Sequence, residues 1–216
     1  ASDIQSIIDT IEDKWELLPL QKLNDDPLAL NVEKMYVRYL LQYDLSQAPY
    51  YYLHSEYPVE GKLEVPSVGI IKFYGKIDRI DLQKNVLRVI DYKTGSAKLE
   101  FKNIEHLFDR KDNQDKALQT LIYCWLLTHS KQKELPNNQL TAHIYAVRSM
   151  ANPEEVSTKV YMKNEIDFVY TPEVEENLLD GLKSLIQEIF NPAIAFHPTH
   201  DLKRCESCAY AQLCKK

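Results

Sequence analysis

The sequence predicts a mixed α/β domain in which helices flank a sheet, followed by a cysteine-containing C-terminal tail. Three observations predict this class. Apolar residues recur at helical spacing on both sides of the middle of the chain, the middle is rich in β-branched and aromatic residues, and the tail has little periodicity. With 216 residues, 44% of them hydrophobic, the chain can form one ordinary domain with a buried core.

Each predicted element follows from its own pattern. The predicted helices carry apolar residues every three to four positions, over 3–18, 28–45, 113–130 and about 173–190. The predicted strands lie at 52–61, 68–82, 86–93 and 141–148, with a weaker one near 157–162. The connector Gln83-Lys84-Asn85 is short, so 68–82 and 86–93 are expected to pair as an antiparallel hairpin. These elements divide the chain into an N-terminal helical segment (1–50), a core (51–190) and a cysteine-containing tail (191–216).

Composition narrows the functional class. The net charge is −6, whereas a generic nucleic-acid binder is basic. Segment 60–118 differs, because it holds 12 basic against 10 acidic residues and is where a polyanion is best tolerated. No apolar run approaches the roughly 20 residues of a membrane helix. The chain begins at Ala1 without an initiator methionine or a secretory leader, so we expect a cytoplasmic protein excised or processed from a longer polypeptide.

The most informative polar residues lie on the predicted hairpin, in Gly75–Asp81 and in Asp91–Gly95. Side chains two apart on a strand share a face, so Asp91 and Lys93 project into the same space. The antiparallel hairpin can bring Asp78 beside Asp91. Two converging carboxylates form a hard, oxygen-rich site that suits Mg²⁺ or Mn²⁺, and the adjacent ammonium can orient a water or hold charge on a phosphate. The pattern therefore indicates metal-assisted phosphodiester hydrolysis.

The spacing of Asp91 and Lys93 does not by itself indicate an active site. An acid, any residue and a lysine follow one another six times in the chain. Asp91 and Lys93 are the pair that follows an apolar strand and has a second acid on the neighbouring strand. The alternative interpretation is a surface salt bridge at a strand end.

Together with Gln119 and Tyr123, these motifs resemble the RecB-like branch of the PD-(D/E)XK nuclease superfamily. That branch has Gly-x-Ile-Asp-Arg-Ile-Asp, then Asp-Tyr-Lys-Thr-Gly, then Gln-x-x-x-Tyr, and this chain has the three motifs in the same order over about 54–123. The resemblance implies a restriction-endonuclease-like core. It also implies that Asp78, Asp91 and the Tyr92 backbone carbonyl ligate the metal, and that Lys93 positions or activates the attacking water.

The resemblance extends to further residues. Glu56 is the best match to an upstream glutamate and is expected as a catalytic residue and metal ligand. Gln119 and Tyr123 lie at i and i+4 on one helix edge, and the resemblance places such a pair near the cleft and the DNA strand. The alternatives are that Tyr123 belongs to the core and that Gln119 faces solvent. Asp81 and Arg79 are interpreted as structural hydrogen-bonding and ion-pair residues.

Three of the four cysteines lie in the tail, at Cys205, Cys208 and Cys214. Thiolates at this spacing suit an iron–sulfur cluster or zinc. AddB-type nuclease subunits and CRISPR-associated adaptation nucleases resemble the arrangement, with a fourth cysteine far upstream. Here no cysteine precedes Cys124, which is interpreted as a core residue, and the upstream Gly-x-x-x-His element of the family is missing. We therefore expect a [4Fe–4S] cluster in the full-length parent and an absent or incomplete one in this chain.

The sequence thus predicts a metal-dependent deoxyribonuclease, interpreted as an exonuclease domain of a larger helicase–nuclease polypeptide in double-strand break repair. Its expected partners are DNA and a helicase motor, because the chain has no nucleotide-binding P-loop, and no membrane partner is expected. Two alternatives stay open. One is a catalytically inactive DNA-binding or scaffolding module that keeps the fold, and the other is a small metal-binding interaction protein whose tail is the functional part.

Overall fold

A computed structural model describes residues 6–7, 10, 27–109, 114–130, 139–152, 155–195, 197, 203–206 and 208–214. The predicted helix over 3–18 lies almost wholly outside these residues, and its described members Ser6, Ile7 and Thr10 are helical. The predicted helix over 28–45 is helix α1 (Pro27–Ser46).

In the residues that the structure describes, six strands form two sheets. The strands are β1 (Tyr51–Val65), β2 (Gly69–Gln83), β3 (Val86–Lys93), β4 (Glu100–Phe101), β5 (Gln139–Ala146) and β6 (Tyr161–Met162). The main sheet is mixed, with the order β1-β2-β3-β5, and β4 pairs with β6 in the second sheet. β2 is antiparallel to both β1 and β3, whereas β3 runs parallel to β5. The predicted hairpin of 68–82 with 86–93 is confirmed.

Two longer helices follow the hairpins, with one short helix in the tail. They are α2 (Asp115–Thr128), α3 (Pro172–Phe190) and α4 (Lys203–Glu206). The start of α3 is encoded locally, because the side chain of Thr171 accepts a hydrogen bond from the Val174 N–H and Pro172 occupies the first turn. α2 contacts all four strands of the main sheet, and α3 contacts β1.

The main sheet is buried on both faces. On one face, α2 and α3 cover a large apolar cluster that includes Ile80, Val89 and Leu121, none of which is exposed. On the other, a smaller cluster joins Tyr43 of α1 to Ile90 and Tyr145 of the sheet, along with Met150. A four-stranded mixed sheet flanked by helices is the predicted α/β class and is consistent with a restriction-endonuclease-like fold.

Two predicted strands differ from the observed ones. The strand predicted at 141–148 ends at Ala146, because Val147–Ser149 turns into a 3₁₀ helix. In the segment near 157–162, where a weak strand is predicted, Thr158 and Val160 form backbone hydrogen bonds of 2.8 and 2.9 Å with β5, and the segment ends in β6. Within the described ranges, no helix is long and apolar enough to cross a bilayer.

Candidate active site

Asp78 and Asp91 lie where the β2–β3 ladder ends. Its last pair is Arg79 opposite Ile90, and one further step would set Asp78 opposite Asp91. The backbone N–H of Tyr92 donates to Asp78 Oδ2 at 2.7 Å. The carboxylate of Asp78 thus continues the connection between the strands at the point where the backbone ladder stops.

Lys93 forms an ion pair with Asp91 on the same face of β3. Its Nζ donates to Asp91 Oδ1 at 2.9 Å and lies 2.7 Å from Oδ2. Asp91 is only 2% exposed, and this burial raises its pKa. The charge of Lys93 opposes the shift, the nearby Asp78 carboxylate adds to it, and Lys116 opposes it. The structure therefore brings Asp78, Asp91 and Lys93 together.

The donor set fits a hard divalent cation. Both oxygens of the buried Asp91 lie against one ammonium, with Lys93 Nζ 2.9 Å from Oδ1 and 2.7 Å from Oδ2. The neighbouring Asp78 carboxylate disfavours the charged form of Asp91, and a bound cation would offset this repulsion. The Asp78 carboxylate and the Tyr92 backbone carbonyl would supply further oxygen ligands, the type that Mg²⁺ and Mn²⁺ prefer.

Gln119 and Tyr123 lie one turn apart on α2. Gln119 Nε2 donates to Tyr123 Oη at 3.0 Å, and both side chains are half-buried. The ring of Tyr123 lies against Gly75 of β2, where an added Cβ would come within 2.7 Å of its Cε1. The glycine allows α2 to approach the strand that carries Asp78. Tyr123 also packs against the main apolar cluster, in line with the alternative that it belongs to the core, and the functional role of the pair stays a prediction.

The comparisons with known proteins decide the family. The sequence profile of the PD-(D/E)XK nuclease superfamily matches residues 3–215. The chain belongs to the PD-(D/E)XK nuclease superfamily. Members of this superfamily are generally metal-dependent nucleases, and DNA is the substrate that the superfamily implies.

No curated protein matches the sequence of this superfamily member. Among solved structures, a similar chain is described as "Crystal structure of SSO0001". It shares 14% sequence identity, the alignment covers 96% of this chain and 79% of that one, and the TM-score is 0.36.

Glu56 lies on β1 at the position opposite Asp78 of β2. The ladder pairs Ser55 with Arg79 and Tyr57 with Ile77, while Glu56 between them has a positive φ of 50°. Its carboxylate forms an exposed ion pair with Lys76. In the part of the chain that the structure describes, no group of three or more His, Cys, Asp or Glu side chains could hold a metal. The role of Glu56 as a catalytic residue and metal ligand stays a prediction.

The opposite face of β2 and β3 carries a buried ion-pair network. Arg79 Nη1 donates to Asp44 Oδ2 of α1 at 2.6 Å and to Tyr92 Oη at 3.2 Å. Asp81 accepts from Arg79 Nε at 2.9 Å and from Arg88 Nε at 2.5 Å. Arg79 and Asp81 are thus structural residues behind the site. The partner Asp44 has no local sequence signal, because it lies 35 positions before Arg79.

A second lysine lies near Asp91 and was not found from the sequence. Lys116 is in the first turn of α2, and its Nζ donates to the backbone carbonyl of Ser96 in the segment after β3. It shares a helix edge with Gln119 and Tyr123, three and seven positions further on. That helical spacing is the signal that could have identified it.

The tail cysteines differ in exposure. Cys205 is half-buried, and Cys208 and Cys214 are exposed. Among the described residues, the three do not combine into a metal-holding group. Cys124 is fully buried on α2, and burial raises the pKa of its thiol, which agrees with its interpretation as a core residue. Cluster binding by the tail remains a prediction.

Proposed function

We propose that this chain is a Mg²⁺- or Mn²⁺-dependent DNA exonuclease of the RecB-like branch. One observation carries the proposal: the carboxylates of Asp78 and the buried Asp91 meet beside the ammonium of Lys93, where the β2–β3 ladder ends. Superfamily membership supports the same reaction, and the order of the three motifs supports the branch.

Each residue of the site has its own proposed role in the reaction. Asp78, Asp91 and the Tyr92 carbonyl would hold the cation, which when bound polarises a phosphoryl oxygen and lowers the pKa of a water. Lys93 has three donors and directs one to Asp91 Oδ1, leaving donors for the attacking water or a phosphate oxygen. Tyr123 Oη accepts from Gln119, so its own proton is directed to another acceptor.

The proposed setting is a larger cytoplasmic helicase–nuclease polypeptide that processes double-strand breaks. Its support is the resemblance to AddB-type subunits, both in the three motifs and in the spacing of the tail cysteines. In the full-length parent, Cys205, Cys208 and Cys214 would ligate a [4Fe–4S] cluster with a fourth ligand from elsewhere. The helical segment 1–50, the nuclease core 51–190 and the tail 191–216 are the proposed units.

Cleavage of end-labelled linear DNA and of circular DNA, with Mg²⁺, Mn²⁺ or EDTA, tests the proposal. We expect cleavage of linear DNA that requires the metal and leaves the circle intact. Asp91→Asn should lower the rate about 100-fold or more, because the amide keeps the shape but loses the charge that holds the cation. Lys93→Ala should act similarly, since the group that orients water is lost.

Glu100→Gln and Lys102→Ala are matched controls, because this pair has the same acid-x-lysine spacing without the neighbouring acid. Both variants should cleave as the wild type does. A wild-type chain that binds DNA but does not cleave it would favour the inactive binding module instead. Cleavage of the circle would make the enzyme an endonuclease.

A further inference from the structure

Lys116 holds a positive charge at the edge of the site, close enough to Asp91 to lower its pKa. Lys93 is paired with both oxygens of Asp91, whereas the acceptor found for Lys116 among the described residues is the neutral carbonyl of Ser96. An ammonium has three donors, and one carbonyl does not satisfy all of them. We infer that Lys116 binds a backbone phosphate of the DNA strand, next to the phosphate that is cleaved.

The ammonium is accessible to a ligand. A Cβ built on Gly95 would lie 3.9 Å from Lys116 Nζ. The ammonium therefore lies close to a residue that has no side chain to cover it. Thr94, Gly95 and Ser96 are all exposed. A phosphate can therefore reach the ammonium over this turn, which directly follows Lys93.

The position of Lys116 on α2 sets its role apart from that of Lys93. Lys116, Gln119 and Tyr123 form one helix edge that spans about 10 Å at 1.5 Å per residue. One end of the edge faces the turn after β3, and the other lies against Gly75 of β2. Lys116 and the hydroxyl of Tyr123 are thus two hydrogen-bond donors along one edge of α2, near Asp91. An extended DNA strand that follows this edge would contact both. Phosphate contacts of this kind fix the register of a strand rather than its sequence.

The assignment rests on the proposed nuclease function, and DNA binding tests it separately from cleavage. The probes are a fluorescein-labelled single-stranded oligonucleotide and its duplex, titrated in EDTA over a series of KCl concentrations. We expect Lys116→Ala to weaken binding severalfold. It should also reduce the slope of log K against log[KCl] by about 0.7 for the single strand or about 0.9 for the duplex, the loss of one phosphate contact. Lys116→Arg, which keeps the charge, should retain the wild-type slope.

Lys102→Ala is the matched control, because it removes one exposed lysine from a position outside the site. A purely structural role for Lys116 would lower the melting temperature without changing the salt slope. In cleavage assays, Lys116→Ala should raise KM while kcat changes little, since the contact is not made to the reacting atoms.

The possible failures are distinguishable. A wild-type slope in Lys116→Ala, or an equal loss in Lys102→Ala, overturns the assignment of Lys116 and leaves the nuclease proposal intact if the wild type cleaves. A wild type that binds with the expected slopes but does not cleave overturns the nuclease proposal and leaves the phosphate contact. A wild type that binds neither probe overturns the assignment of Lys116, and the cleavage assay with Mg²⁺ or Mn²⁺ then decides the nuclease proposal by itself.

Discussion

Asp91 is buried and has a second carboxylate, Asp78, close by. Its side chain is 3% exposed, and Lys93 is its ion-pair partner. Burial raises its pKa, so the carboxylate is harder to ionise than an exposed one. A cation bound between Asp78 and Asp91 would favour the charged form. Perturbed carboxylates of this kind cluster at functional sites, which is the physical reason for assigning the reaction to this residue.

His143 is a buried titratable group outside the site. Its ring nitrogens lie 3.1 Å from the hydroxyls of Thr141 and Thr158. Burial, followed by the charges of Arg88 and Lys159, lowers the pKa of His143 from 6.5 to about 3. Between these values the unfolded chain binds a proton and the folded chain does not. His143 therefore reduces stability as the pH falls from about 6.5 towards about 3.

We expect His143→Gln to make stability less dependent on pH in that window. One proton bound only by the unfolded state changes the free energy of unfolding by up to about 1.4 kcal/mol per pH unit, and the variant should lose this contribution. Urea unfolding at a series of pH values below 7 measures the difference. The control is His197→Gln, because His197 is exposed. Parallel pH profiles for wild type and His143→Gln would contradict the expectation.

At the level of elements, one buried network holds β2, β3 and α1 in register behind the site. Asp81 is fully buried and binds the guanidinium groups of Arg79 and Arg88. Arg79 in turn reaches Asp44 of α1 and the hydroxyl of Tyr92. Arg79 follows Asp78 in β2, and Tyr92 lies between Asp91 and Lys93 in β3. The network on one face thus fixes the strand ends whose other face carries the proposed catalytic residues.

Asp81→Asn tests how much this network contributes to the free energy of unfolding. The change leaves two buried guanidinium groups without their shared carboxylate, and we expect a loss of about 3–5 kcal/mol in the free energy of unfolding. Asp180→Asn is the control, because Asp180 forms an exposed pair with Lys183 and should cost below about 1 kcal/mol. Urea unfolding at neutral pH measures both. Similar losses in the two variants would show that the buried network is not the stronger interaction.

At the scale of the whole molecule, the sequence predicted what depends on local pattern. The hairpin of β2 and β3 follows from alternating strands and a short connector, and the approach of Asp78 to Asp91 follows from the hairpin. The parallel pairing of β3 with β5 and the contact of Asp44 with Arg79 depend on long-range packing, which has no local signal. Glu56 was expected in the cleft from the resemblance to the family, whereas its left-handed backbone and its pairing with Lys76 depend on the fold of β1 and have no local signal.

The proposed boundary between the core and the tail lies near residue 190. In the described part of the tail, Tyr210 and Leu213 are 68% and 81% exposed, and the backbone hydrogen bonds of the cysteines are local. The buried apolar residues instead extend to Leu182 and Ile186 of α3. Removal of 196–216 should therefore change the melting temperature by less than about 2 °C.

The matched control for this truncation removes 182–216, and so also takes Leu182 and Ile186 from the core. Each buried aliphatic side chain contributes about 2 kcal/mol, so this chain should melt on the order of 10 °C lower than the wild type. Thermal unfolding followed by circular dichroism compares the three chains. If the chain ending at Ala195 melts as low as the control, the tail stabilises the core and the boundary near residue 190 is wrong. If it melts with the wild type, the nuclease core folds without the cysteine tail, and a cluster bound there would serve a role other than holding the core together.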